Sequence, residues 1–379
     1  MKNEVAGIQR ITGRRRADNG PVTVKDILYA LDKITGGRCI KDIRDVFSGT
    51  NPFVVNKSSN IPGKACMETP GLVYGDPEAT VSKIAVTMTL TECNIELAGA
   101  TGVGAIIAHH PVAEAANTGG VTMRTYLDLY GIAVFELHEA FHGLHPGIPF
   151  IHGHETFHAD IAFGGIPGNI LFVGRALPHV QTLGDILDRL NHFMGIDEEW
   201  KMLYAERGSR GCDAIMETNI ATGGKILVGN PTSPVSTIIH IFPHTGFSPD
   251  HLSLVKARFP QADTVLASIS RVDEHHPLIN KARELGLNFI IGNSHAMEIL
   301  ENGMPLAMAL KMLLPGAEVV LFRERITSTP VDLAGTPAIR EYAHDIAKQY
   351  LVNKPKKVRP VAREGGRRKT GTFGSDEEN

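Results

Sequence analysis

Three short apolar, β-branched runs in this chain each lead into histidine, and no other feature constrains its fold as strongly. VGAIIA (103–108) ends in His109-His110-Pro111, IAVFEL (132–137) runs into His138, and NFIIG (288–292) is followed by Asn293-Ser294-His295. Near-continuous apolar runs of this length are the mark of strands covered on both faces. Open α/β sheets gather ligands beyond the carboxyl ends of such strands. Imidazoles at three of those ends predict a shared polar space at one edge of the fold.

The segments between the runs read as helices. TVKDILYALDKI, starting at Thr23 or Val24, is amphipathic; Glu92 to Ala100, 121–131 and 181–195 follow. SKIAVTM (82–88) is a further strand. After Pro234 the alternation resumes with strands at 236–242, 264–269, 288–292 and 317–324, and helices at 248–258, after Pro277 and from about His295. The fold class expected is α/β: two α/β lobes with mixed, largely parallel sheets and a metal site between them. The boundaries expected are a basic tail over 1–22, an N-terminal lobe over 23–195, an inter-lobe segment over 196–235, a C-terminal lobe over 236–352 and a tail over 353–379. Both tails are poor in apolar residues and carry no periodicity, so they read as disordered. No tandem repeat is evident.

Composition narrows the function classes. Hydrophobic residues make up 42% of the 379 and charged residues 21%, as in globular proteins. No apolar run is long enough for a membrane helix, and the N-terminus lacks the apolar stretch of a secretory signal, so the cytoplasm is the expected location. Cys39, Cys66, Cys93 and Cys212 form no CxxC pair, which argues against a disulfide framework or a thiolate zinc site. A metal here would be held by imidazole and carboxylate, pointing to zinc, iron, nickel or manganese. Net charge is −3, but the two tails are basic and leave the middle near −10. Such a middle is a poor nucleic-acid surface; the tails alone offer a weak, salt-sensitive contact.

Of 17 histidines, eight fall between His109 and His158. IIAHHP is the strongest local signal. Adjacent strand residues face opposite ways, yet Pro111 helps end the strand, so both rings can turn toward one space or toward two neighbouring ions. The plainer reading is a pair of exposed loop histidines. His142 follows His138 by four residues, and Glu298 follows His295 by three, on one face of any helix begun there. The candidate metal ligands are therefore His109, His110, His142, His295 and Glu298. HExxH occurs at 138–142 and at 154–158, but a zincin needs both histidines one turn apart on a stable helix. The first copy leaves a strand and meets Gly143 and Pro146; Gly164-Gly165 soon interrupts the second. Asp273-Glu274-His275-His276-Pro277 either lines the same pocket or simply opens a helix, with Pro at its first position and acids near its positive end. His275, His276 and Glu139 are the candidate general bases, and His244 in FPHTGF is a further strand-end histidine.

In their order and spacing, PGLVYGDPE (70–78), SKIAVTMTLT (82–91), GAIIAHHP (104–111), AVFELHEAFH (133–142), VGRALPHVQTLGDIL (173–187), VDEHHPLINKARELGL (272–287) and IIGNSHAMEI (290–299) resemble the NIF-three-like family. That family is also known as GTP cyclohydrolase I type 2-like, with dinuclear metal centres and toroidal hexamers. The resemblance implies two metal ions between two lobes, held by both histidines of HHP, an acid four residues after a strand-end His, and a C-terminal His/Glu pair. His109, His110 and Glu298 match. Three positions depart: the family's strand aspartate falls on Thr89, its acid after the strand-end His falls on His142, and its GHxxxE becomes Ser294-His295-Ala296-Met297-Glu298. Without the acid at 142, Glu298 is the only matched carboxylate left to offset the repulsion between two close divalent ions. Glu136, Glu139, Asp160 and Glu274 are the acids able to replace it; otherwise one ion, or two at reduced occupancy, is expected.

Two functions follow. One is a metal-dependent hydrolase acting on a nucleotide-like small molecule; no P-loop or GxGxxG cradle supports nucleotide binding independently. The other is a non-catalytic metal-binding protein: a store, chaperone or scaffold. A nucleic-acid-associated regulator would rest on the tails alone. A homohexamer is implied only by the resemblance.

Overall fold

The computed structural model describes residues 20–58, 65–112, 123–217, 223–269 and 272–352. Residues 1–19 and 353–379, and the first two positions of the helix expected at 121–131, lie outside them. The described residues of 1–205 and 216–327 form one compact unit, and those of 206–215 and 328–379 form a second. The second unit contains the helix Pro337–Ile346, opened by the Thr336 hydroxyl accepting from the Ile339 N–H, and none of that helix is buried.

Two sheets organise the first unit. A five-stranded sheet runs in the order 318–321, 83–87, 105–108, 133–136, 71–74. Its first four strands are parallel, and Gly71–Tyr74 closes the edge antiparallel. All four residues of Ala105–Ala108 are buried because helices cover both faces. Val24–Ile34 and Met304–Leu313 pack on one side; Glu92–Thr101 and the helical residues 123–130 pack on the other. Fully burying a side chain such as Ile107 or Phe135 contributes roughly 1.5–3 kcal/mol.

The six-stranded sheet runs 225–228, 288–294, 264–269, 237–241, 171–176, 154–160. Its three parallel central strands are flanked by antiparallel ones. Pro249–Arg258 and Pro277–Glu284 cover one face and Leu183–Met194 the other. Helix starts are written locally. Thr23, Thr91, Thr182 and Ser248 each form a capping box with the residue three positions on. Gly102 and Gly195, at φ 72° and 61°, end their helices in the left-handed conformation that glycine tolerates.

The sheets do not follow the chain boundaries read from sequence. His154–Asp160 and Leu171–Ala176 precede residue 195 yet belong to the six-stranded sheet, and Glu318–Leu321 returns to pair with Lys83–Thr87. The stretch 196–235 holds the helix Ile196–Arg210 and the edge strand Lys225–Val228. That helix is polar around most of its surface and buries only Ile196, Glu199 and Leu203, so its apolar stripe is too thin to read. The helix expected from His295 is instead a 3₁₀ turn (His295–Met297), a π-helical turn (Ile299–Gly303) and then the α-helix Met304–Leu313. No described helix is long and apolar enough to cross a membrane.

Candidate metal centre

The strand-end histidines meet where carboxyl ends of both sheets come together. His109 and His110 extend the ladder one step past Ala108, their N–H groups donating to Thr87 O (3.0 Å) and Met88 O (2.7 Å). His138 to His142 leave the strand Ala133–Glu136 in a turn closed by Phe141 N–H donating to His138 O (2.8 Å). Ala140 and Phe141 are buried in the core, which anchors that turn and leaves His138 and His142 at the cavity. From the other sheet, the strand Asn288–Ser294 delivers His295 and Glu298.

Glu298 Oε1 lies 3.3 Å from His109 Nε2, and Oε2 lies 3.5 Å from His110 Nε2 and 3.1 Å from His295 Nε2. The ring of His109 stands 5.2 Å from His138 and 5.4 Å from His142 between centroids, and His138 and His142 are 4.6 Å apart. Three sets each place one donor atom per residue within 4.8 Å of the others: His109/His138/His142, His109/His110/Glu298 and Glu68/His138/Glu139.

Each of four rings is held from behind through Nδ1. His109 Nδ1 is 3.0 Å from Leu137 O, His110 Nδ1 is 2.7 Å from Thr89 Oγ1, His138 Nδ1 is 3.1 Å from Glu68 Oε2, and His142 Nδ1 is 3.1 Å from Glu139 Oε2. A carbonyl or carboxylate can only accept, so in a neutral ring the proton sits on Nδ1 and the lone pair on Nε2. Metal-binding histidines are oriented in this way. The His109 Nε2 and Glu298 Oε2 atoms are buried and lack a well-aligned hydrogen bond, as expected of donors turned toward a cation. Burial alone would raise the Glu298 carboxyl, but the imidazoles of His109, His110 and His295 outweigh it and hold that group well below the usual carboxylate range. Burial lowers His110, with Glu298 opposing, which favours the neutral ring a metal requires. The residues present fit a divalent ion.

The centre opens into a cavity of about 490 Å³, within the ~300–1,000 Å³ usual for small-molecule sites. His110, His138, Glu139, His142, His295 and Glu298 form one wall; Ile166, Pro167, Ile170, Phe242 and Ile269 form an apolar one, with His244 and Thr245 between. Ile269 has φ 67°, a conformation that costs a β-branched residue roughly 1–3 kcal/mol and is found at functional sites. Burial, then the charge of His295, lowers His244 to about 4.

Among the ligands read from sequence, His109, His110, His142, His295 and Glu298 are brought together; His138 joins them. Among the candidate bases, Glu139 lines the cavity, with Oε2 engaged by His142. His275 is exposed and His276 caps the helix Pro277–Glu284, its Nδ1 accepting from Leu278 N–H (3.3 Å); neither lines the cavity. Of the acids considered as replacements, Glu136 accepts from the backbone of Thr69 and Val112, Asp160 accepts from Ala162 N–H, and Glu274 is exposed. The second HExxH lies on the strand His154–Asp160, so neither copy forms the zincin helix. Thr89 is marked only through the resemblance, and Glu68 carries no local signal that sequence reading could use for its part in the centre.

The fold and this site define an α/β protein whose strand ends converge on a histidine–glutamate cluster able to hold a metal ion. Residues 53–122 match the family described as Duf34/NIF3 (NGG1p interacting factor 3). The structure is similar to reduced HcgD from Methanocaldococcus jannaschii, at 14% identity and a TM-score of 0.51 over 80% of this chain and 98% of that one. It is also similar to a Bacillus cereus protein related to NIF3, at 11% identity and 0.51 over 82% and 99%. At such identities the likeness is one of fold. The family match spans residues 53–122, which include the HHP segment. No curated protein matches the chain.

Proposed function

We propose that this chain is a metal-dependent hydrolase acting on a nucleotide-like small molecule. The observation that carries the reading is the convergence of His110, His138, His142, His295 and Glu298 on the wall of a cavity of small-molecule size, with His109 Nε2 3.3 Å from Glu298 Oε1. A divalent ion bound there would act as a Lewis acid and activate water. The imidazole-rich set favours zinc, with iron, nickel or manganese as alternatives, and one or two ions per chain. The apolar wall of Ile166, Phe242 and Ile269 suits a planar ring and excludes water from it. His244, neutral near pH 7, and Thr245 are placed to position a substrate by hydrogen bonds. By the same resemblance the chain assembles as a homohexamer, which light scattering tests directly.

Purified protein loaded with each metal and assayed against nucleotides and related small molecules tests the activity. Turnover abolished by His109→Ala is the expected result. Tight metal binding without turnover would leave a store, chaperone or scaffold.

A further inference from the structure

A buried divalent ion needs negative charge as well as donor atoms. The proposed ligand set is short of it: five of its members are imidazoles and Glu298 is the single carboxylate. Two further buried carboxylates face the Nδ1 side of the imidazoles, one of them, Glu139, also lining the cavity. Glu68, 2% exposed, comes from the strand Ala65–Glu68, and its Oε2 lies 3.1 Å from His138 Nδ1. Glu139, 5% exposed, places Oε2 3.1 Å from His142 Nδ1 and Oε1 3.6 Å from His138 Nδ1.

We propose that Glu68 and Glu139 are the outer carboxylates of the metal centre, positioning His138 and His142 as ligands and supplying the negative charge that the imidazoles lack. This rests on the metal-binding reading above. A carboxylate that accepts the Nδ1 proton fixes the tautomer, stops the ring rotating and makes Nε2 a stronger donor. With Nδ1 facing a carboxylate, Nε2 is the atom each ring would offer to an ion, and both rings stand within reach of His109. The carboxylates thus act through hydrogen bonds and do not touch the ion. His142 is the means by which this works: an acid at 142 would need no outer partner, whereas an imidazole there gains from Glu139, three residues before it in the same turn.

The test compares wild type with Glu68→Gln, Glu68→Ala, Glu139→Gln and Glu139→Ala. Zinc and cobalt affinities are read by competition with a chromophoric chelator, coordination by the visible spectrum of the Co(II) form, and folding by the melting temperature of the metal-free protein. Outer-partner roles predict affinity weakened roughly 10–100-fold. They also predict partial rescue by Gln, whose amide oxygen still accepts from Nδ1–H, and unchanged stoichiometry and Co(II) spectrum. A Gln variant that loses a bound ion or alters the Co(II) spectrum would make these residues ligands and overturn the proposal. Unchanged affinity in both Ala variants would overturn it as well, leaving the metal reading intact. A wild-type protein that binds neither metal removes both.

Discussion

Glu298 Oε1 and His109 Nε2 stand 3.3 Å apart at the junction of two sheets, each supplied by a strand end of a different sheet. Each residue is nearly inaccessible, so neither is a surface group that happened to meet the other. Glu298 also faces His110 and His295, and its remaining support is Asn302 Nδ2, which donates to Oε1 at 2.9 Å.

Glu298→Ala is therefore expected to weaken metal binding by more than the ~10–100-fold that outer partners command. Elemental analysis after dialysis against a chelator reads the change. A variant that keeps the full wild-type metal content would remove Glu298 from the centre.

His109→Ala/His110→Ala removes both imidazoles of the HHP segment, and bound metal should fall to background. The circular dichroism of the fold should persist, because the strand before them is held by Ile106, Ile107 and the helices on both faces.

His275→Ala should leave metal content unaltered, since that ring is exposed and away from the cavity. His276→Ala should do the same but lower stability by about 1 kcal/mol, the usual cost of a lost helix cap. Chemical denaturation separates the two variants, and a loss of metal in either would return these residues to the centre.

A second polar cluster lies behind the first, and it sets a pH dependence of stability. Burial lowers His152 to about 4, His154 to about 3 and His240 well below its ordinary value, and raises Glu301 to about 8. The histidines are neutral in the fold and take up protons on unfolding, so their contribution is complete above about pH 6.5 and is lost on acidification. Glu301 behaves oppositely: its folded value lies above its ordinary 4.5, so its contribution is complete below about 4.5 and falls as pH rises toward 8. Each proton involved changes stability by up to ~1.4 kcal/mol per pH unit within its window. Urea midpoints measured from pH 4 to 9 should peak near 6.5. Glu301→Gln, which keeps an acceptor for Asn293 Nδ2, should flatten the alkaline decline, and an unchanged decline would exclude Glu301 as its source.

Two glycines make the room for those histidines. A Cβ on Gly174 would stand 2.3 Å from His154 Nδ1 and 2.6 Å from Glu155 O; one on Gly292 would stand 2.4 Å from His152 Nε2. Gly174→Ala and Gly292→Ala are expected to cost roughly 1–3 kcal/mol each, as overpacking does. Melting temperatures check this, and wild-type values would mean the rings can step aside.

How far the centre was legible follows from where its information lies. His109, His110 and His295 each follow an apolar run, so a few neighbouring residues announce both the strand and its end. Glu298 was legible by its spacing from His295. Glu68 was not, because an acid in a short antiparallel hairpin looks like any exposed strand residue until the fold brings it against His138. The helices with boxed N-termini and one apolar stripe were readable. Helix Ile196–Arg210, with three buried side chains, was not. Sheet membership was the larger loss: periodicity identifies a strand but carries nothing about its neighbours, so the placement of residues 154–176 and 318–321 needed pairing partners far along the chain.

That interleaving governs how the protein can be made. The five-stranded sheet is complete only when Leu321 arrives to dock beside Lys83–Thr87, and the six-stranded one takes strands from both before and after residue 195. Cutting the gene between residues 196 and 235 would give two fragments that each lack strands held by the other. On the ribosome, most of the chain must emerge before His109 can meet Glu298, so the pair is assembled late in biogenesis.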